Sequence, residues 1–321
     1  MRSSADLVIA ADLLAHFSAG FTALVDLHLG TDWAENREIL ALLSLRRLPM
    51  PTTREVTESS GCNRRAVNRL VHRLERDGIV VTRPGLTDRR AVGVELTAAG
   101  RLRFERLAAD LAGYFVASRV LAADIVTRLG GPFPEPDSSA TDALSLLEEL
   151  ATVGKSLAAV PLRPAEAAPP SGRQLVALLQ IAHREAVRPV DLTATLGASR
   201  TVVAYVLDQL VAKGLIIRRP GPAGTDRRAV LLSATPAGQA AADVVHASIE
   251  ARGPELRRVF AAIGRADAGR DERVLTTAGS SRVRSDREAG EELLDPEVAD
   301  VLRLDPELRA GGGVEGVDRR R

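Results

Sequence analysis

Arg83-Pro84-Gly85, followed by Asp88-Arg89-Arg90-Ala91-Val92, recurs later in the chain as Arg219-Pro220-Gly221 followed by Asp226-Arg227-Arg228-Ala229-Val230. A repeat of this kind fixes the organisation of a chain before any single motif is weighed. Upstream of it, Arg37 to Gly85 aligns without a gap on Arg173 to Gly221. Ala41-Leu42-Leu43 meets Ala177-Leu178-Leu179, Gly61 meets Gly197, Arg64 meets Arg200 and Leu74 meets Leu210. A two-residue insertion at Pro222 to Gly224 marks a loop tip, where extra length costs little. The register then runs on to Thr97-Ala98-Ala99-Gly100 against Thr235-Pro236-Ala237-Gly238.

With 321 residues and 45% apolar content, the chain is long enough for two domains that each bury a core. Gly130-Gly131-Pro132-Phe133-Pro134-Glu135-Pro136 cannot continue a helix, so the boundary is expected there. The expected domains are residues 1–130 and a more divergent 140–263, joined by a linker at 131–139. Residues 264–321, rich in Gly, Arg, Asp and Glu, read as a disordered tail. A single Cys rules out an internal disulfide and fits a reducing compartment. The apolar N-terminal stretch is interrupted by Asp12 and His16, so neither a signal peptide nor a membrane span is expected, and the chain is read as soluble and cytoplasmic. A formal net charge of +1 gives no global case for a nucleic-acid partner. Any such case rests on where the arginines cluster.

Within each repeat the apolar period changes from helical to alternating. Thr52 with Glu55 forms a capping-box pattern, as does Asp32 with Glu35. Gly61 supplies a tight turn, and Asn63, or Ser199 in the second repeat, is suited to cap the next helix. Along that helix Ala66, Val67, Leu70, Val71 and Leu74 share one face, matched by Val202, Val203, Val206, Leu207 and Leu210. Ile79 to Thr82 and Val92 to Leu96 then read as two antiparallel strands around a tip. The order is that of a helix-turn-helix followed by a two-stranded wing. Flanking stripes at Leu7, Leu14, Phe17, Phe21, Leu24 and His28, and from Phe104 through Tyr114 to Ile125, predict long helices that pack lengthwise. In the second repeat, the Gly253-Pro254 pair breaks the corresponding helix.

This order of parts resembles the MarR family of bacterial transcription regulators. The residues that carry the resemblance are Leu74-Glu75-Arg76-Asp77-Gly78-Ile79-Val80, Asp88-Arg89-Arg90 and Leu96-Thr97-Ala98-Ala99-Gly100-Arg101. The resemblance covers Leu7 to Ile125 well and the second repeat, about Asp137 to Ile263, more weakly. Members of the family usually act as homodimers, one reading head per subunit. A chain holding both heads implies a mostly α fold with small β wings: tandem winged helix-turn-helix domains joined through a helical hub, an intramolecular pseudo-dimer that acts as a monomer.

Opposite its buried face the first recognition helix carries Asn63, Arg64, Arg65, Asn68, Arg69, His72 and Arg73, groups suited to guanine, adenine and phosphate. At the wing tips, Arg89 and Arg227 would enter a minor groove, with Arg90 and Arg228 beside them. By family resemblance Asp88 and Asp226 orient those arginines. The second recognition helix keeps Ser199, Arg200, Thr201 and Tyr205, but Ala204, Asp208 and Gln209 replace basic or amide positions. Unequal half-sites on double-stranded DNA follow. Family resemblance also implies a repressor and a small-molecule effector, for which Trp33 and Tyr114 are candidates, although an aromatic on such a helix is more often core. Cys62, at the start of a recognition helix, is either a redox thiol or a small filler, and the filler is favoured. The histidines have no metal-ligand spacing, and no cofactor, metal or catalytic constellation is expected, so the chain is not read as an enzyme. The rival reading is a protein-interaction scaffold whose second repeat binds a partner with weak or no DNA binding.

Overall fold

Thr52, Asn63, Thr97, Ser171, Ser199 and Thr235 each cap the helix that follows with a side-chain oxygen. The computed structural model describes residues 4–31, 34–84, 90–131, 142–158, 171–184, 187–196, 198–220 and 230–265. The chain divides into two compact units, Met1–Leu275 and Thr276–Arg321, and every described residue lies in the first. The expected tail therefore falls outside the described residues apart from Gly264 and Arg265.

The elements run α1 (Ser4–Leu29), α2 (Asn36–Arg47), α3 (Thr53–Ser60), α4 (Arg64–Arg76), β1 (Val80–Pro84), β2 (Val92–Leu96), α5 (Ala98–Ala117) and α6 (Arg119–Leu129). They continue with α7 (Ala143–Ala158), α8 (Gly172–His183), α9 (Asp191–Leu196), α10 (Arg200–Ala212), β3 (Ile216–Pro220), β4 (Val230–Ala234), α11 (Pro236–Ala251) and α12 (Gly253–Gly264). The fold is mostly helical with two small two-stranded sheets, consistent with winged-helix architecture. Both sheets are antiparallel, pairing Val80 with Leu96 through Pro84 with Val92, and Ile216 with Ala234 through Pro220 with Val230.

Thr52 accepts from the Glu55 backbone N–H while the Glu55 carboxylate accepts from the Thr52 N–H, so the expected capping box forms. Gly61 closes α3 at φ 71°, the left-handed conformation that favours glycine. Asn63 then caps α4 through a 2.8 Å bond from Ala66 N, and Ser199 caps α10 in the same way.

The Thr-x-x-Gly step after each wing has a specific physical cause. Thr97 Oγ1 donates to the Gly78 carbonyl at 2.7 Å and accepts from Gly100 N at 2.9 Å; Thr235 does the same with Gly214 and Gly238 at 2.7 and 3.0 Å. A Cβ on Gly100 would lie 2.1 Å from the Ile79 carbonyl oxygen, and one on Gly238 1.9 Å from that of Leu215. Only glycine lets the helix approach the strand backbone this closely.

The flanking helices pack crosswise between the repeats. Helix α1 lies against α8, α9 and α11 of the second repeat as well as α5 and α6 of its own, while α7 lies against α2 and α5 of the first. Helices α6 and α12 pack together. Phe17 of α1 sits at the centre, its ring 4.9 Å from Phe260 of α12, 5.2 Å from Tyr114 and 6.1 Å from Phe115. Burying four aromatic side chains contributed by α1, α5 and α12 stabilises the hub by several kcal/mol, at about 1.5–3 kcal/mol for a large apolar side chain.

Three local expectations change. Glu35 caps α2 only through its backbone; its carboxylate instead accepts from Gly172 N at 3.1 Å, at the start of α8. Asp32 lies outside the described residues. Burial raises the Glu35 carboxyl above its usual range, and the bonds from Gly172 and Ser171 work against that shift. The stripe from Phe104 to Ile125 is two helices, since Ser118 (φ −86°, ψ 7°) ends α5 and starts α6. A serine carries no breaker signal, whereas the matching break at Arg252 precedes a visible Gly253-Pro254. Finally, α1 runs unbroken through Asp12 and His16 and is long and apolar enough, by length and composition, to cross a membrane. Here its buried side is the middle of the hub, and Asp12 accepts a hydrogen bond from Gln180 Nε2 of α8.

Candidate nucleic-acid interface

Helix α4 is held by Val67, Leu70, Val71 and Leu74, all buried, which turns the opposite face outward. Arg64, Arg65, Asn68 and Arg69 are exposed. Among the described residues, Arg64, Arg65 and Arg69 take part in no ion pair, so nothing described competes for their guanidinium donors. His72 is exposed beside Glu75, 3.9 Å away. Asn63 is also exposed, but its side chain is engaged in the cap.

Arg73 departs from expectation. It reaches inward to Glu38 of α2 in a charge-assisted bond, with its side chain only 28% exposed. A guanidinium committed to a carboxylate in this way clamps two helices of the motif together and is not available to a phosphate.

In the second repeat Val203, Val206, Leu207 and Leu210 bury the corresponding face of α10. Its outer face presents Arg200, Thr201, Ala204 and Tyr205, with Tyr205 64% exposed. Asp208 pairs with Arg218 of β3 at 2.7 Å, which neutralises one of the wing's own cations. Arg83 of β1 is likewise taken up by Glu95 across the sheet at 2.8 Å. Its counterpart Arg219 is exposed, and in place of the glutamate the second sheet has Ser233. Position-by-position comparison of the two repeats would have found Arg219, because the loss of the acidic partner is visible in the alignment.

The wing-tip residues Asp88, Arg89, Asp226, Arg227 and Arg228 lie outside the described residues. Arg90, at the edge of the first tip, is exposed and makes contacts within the chain. Trp33 is also outside the described residues. Tyr114 is core: it is 5% exposed, donates to the Phe17 carbonyl at 2.7 Å, and burial raises its hydroxyl pKa well above the usual value.

A cavity of about 130 Å³ lies elsewhere, between α1, α2, α7, α8, α11 and α12. Leu14, Phe21, Leu150, Leu175, Ile249 and Phe260 form much of its apolar wall, and Ser18 and Asn36 supply its polar side chains. No sequence signal marked it, because its wall is assembled from six helices of both repeats. Burial raises the Cys62 thiol above its ordinary value, which disfavours the thiolate that redox chemistry needs and agrees with a filler role. No group of three or more potential metal-binding side chains occurs among the described residues.

With α8, α9, α10 and β3 placed, the comparison with known families has a structural counterpart. Residues 169–229 match the MarR family. The match spans these four elements, so this region is similar to MarR-family winged-helix domains, and that similarity suggests a DNA-binding transcription regulator. Among curated proteins none matches the chain. The MarR match falls on the second repeat, although the residue motifs favoured the first. Of the departures in α10 that weakened the sequence resemblance, Ala204, Tyr205 and Asp208 are exposed and Gln209 is half-buried, while the buried pattern that specifies the fold is kept.

Proposed function

We propose that this chain is a sequence-specific regulator of transcription that grips double-stranded DNA with both repeats at once, α4 acting as the dominant reading helix. The observation that carries the reading is the outward face of α4: three exposed guanidinium groups and Asn68 on a helix pinned by its other side. Bidentate arginine contacts to guanine and phosphate are the chemistry that such a face offers. Helix α10 adds Arg200, Thr201 and Tyr205, and the wing tips, Asp88 to Arg90 and Asp226 to Arg228, add minor-groove contacts. The crosswise packing of α1 on α8 and of α7 on α2 supports a pseudo-dimer within one chain, working as a cytoplasmic monomer on a pseudo-palindromic operator. Half-site centres then lie about 10 base pairs apart, one turn of duplex. The sign of regulation is repression, as the family resemblance implies. The apolar cavity supports control by a small-molecule effector.

An electrophoretic shift on the chain's own upstream DNA tests the reading at two salt concentrations. Steep loss of affinity with salt is expected, with a slope of about −0.9 per phosphate neutralised. Absence of binding at low salt would remove the proposal.

A second reading has its own support. Tyr205 is exposed on α10, while Asp208 places a negative charge on the face that would meet phosphate. These two features favour a protein-binding role for the second repeat, making the molecule a scaffold or co-regulator. Absence of DNA binding at low salt, by the unaltered chain as well as by one carrying Arg64→Ala, Arg65→Ala and Arg69→Ala, would support this rival.

A further inference from the structure

Where the second winged-helix unit meets the hub, two imidazoles lie face to face. His183 is the last residue of α8 and His246 lies in α11; their ring centroids are 4.4 Å apart with 17° between the planes. Both ring nitrogens of His183 and Nε2 of His246 are buried with no hydrogen-bond partner among the described residues. A neutral imidazole always carries one N–H donor, and a buried donor normally finds an acceptor. This pair has ring contact and burial in place of those bonds. Such cohesion holds only while both rings are neutral, because one added proton puts a desolvated charge against a ring, and a second adds like-charge repulsion.

Among the described residues the surrounding charges are few. Asp243 stands one turn before His246 on α11, and Arg184 follows His183 directly. From α1, Asp12 bonds Gln180 of α8 and faces Arg184. Asp243 favours protonation, but it is exposed; burial, then the neighbouring ring and Arg184, oppose it and push His183 down to about 4. Burial likewise lowers His246.

The first repeat has nothing equivalent. By the repeat register Arg47 and Ala108 stand at the two positions, and Arg47 pairs instead with Glu148 of α7 at 3.4 Å. Whatever the stack does, it does to one half of the molecule.

We propose that the His183–His246 stack is an acid-labile latch: protonation of either ring parts α8 from α11 and releases the second winged-helix unit from the hub while the first stays docked. This concerns the joint and holds whether or not the chain binds DNA. The sign follows from the depressed values. A histidine kept neutral by the closed state stabilises it fully above about pH 6.5, its ordinary value, and progressively less as the pH falls toward about 4. Each unit of pH in that window multiplies the open population by up to about ten per histidine.

Hydrogen exchange followed by mass spectrometry on the full chain, at pH 7.5 and pH 5.0 with intrinsic rates corrected, tests the latch against an internal control. Protection of α8 and α11 is expected to fall roughly tenfold to 30-fold while α2 and α5 stay unchanged. The double variant His183→Phe, His246→Phe keeps a stack that cannot be protonated, and its protection should no longer depend on pH. If that variant does not fold, the imidazole Cε1–H resonances of the unaltered chain decide: both rings should resist protonation until well below pH 6.5. Parallel loss of protection in both halves, an unchanged drop in the phenylalanine variant, or titration of both rings at the ordinary value would each overturn the proposal.

Discussion

Helices α4 and α10 occupy the same place in two stretches of one sequence pattern, yet their outward faces differ in charge. Both are capped by a short polar side chain and pinned by buried aliphatic residues at the same helical positions. On the outside, α4 carries three arginines that make no ion pair among the described residues, whereas α10 carries Arg200, an exposed tyrosine and an aspartate bonded to Arg218. The difference teaches that burial pattern and surface chemistry vary independently. Two helices can keep the same buried positions while the chemistry of their outward faces differs.

The comparison breaks most sharply at what the two units share. Gly100→Ala and Gly238→Ala each drive a methyl into a backbone carbonyl, so each should destabilise the chain by about 3 kcal/mol, the range of severe single substitutions. Urea unfolding should show two losses of similar size, and a marked inequality would mean that the two wings are not built alike. For the outward faces, Arg69→Ala should weaken binding to the operator by about 1–3 kcal/mol, and Tyr205→Ala by less, in a fluorescence titration. Equal losses would defeat the asymmetry. Arg73→Ala removes the Glu38 clamp and should cost about 1 kcal/mol of folding stability, leaving the salt slope of DNA binding unchanged. A slope reduced by nearly one unit would instead place Arg73 on a phosphate. The smallest effect is expected from Asp208→Asn, which releases Arg218. Affinity for DNA should rise by about threefold, and no change would mean that the second wing contributes no charge to the interface.

Much of the fold could be read from residues close together in the chain. The Thr52–Glu55 box, the Gly61 turn, the Asn63 and Ser199 caps and both hairpins depend on neighbours within a few positions, where spacing is geometry. The Thr-x-x-Gly step was visible as a motif, although its cause, the carbonyl beneath the glycine, needed three dimensions. What stayed hidden depends on contacts across long separations. Arg73 reads as one more outward arginine until Glu38 appears beside it, and Glu35 reads as a local cap until Gly172 takes its carboxylate. The break at Ser118 carries no local sequence signal, and beyond it α6 packs against α12 of the other repeat. The cavity draws on six helices and the histidine stack on two that are distant in sequence, and neither leaves a periodic trace. Of the candidate interface, Arg64, Arg65, Asn68 and Arg69 were legible because a helix pinned on one face must expose the other.

The central claim is that one chain supplies two linked reading heads to a single duplex. Sedimentation equilibrium of the protein on a labelled operator fragment, combined with hydroxyl-radical footprinting of the same complex, tests it directly. The account predicts one chain per duplex and two protected patches about 10 base pairs apart, the stronger one lost with Arg64→Ala, Arg65→Ala and Arg69→Ala. Two chains per duplex, or a single patch from one chain, would contradict it.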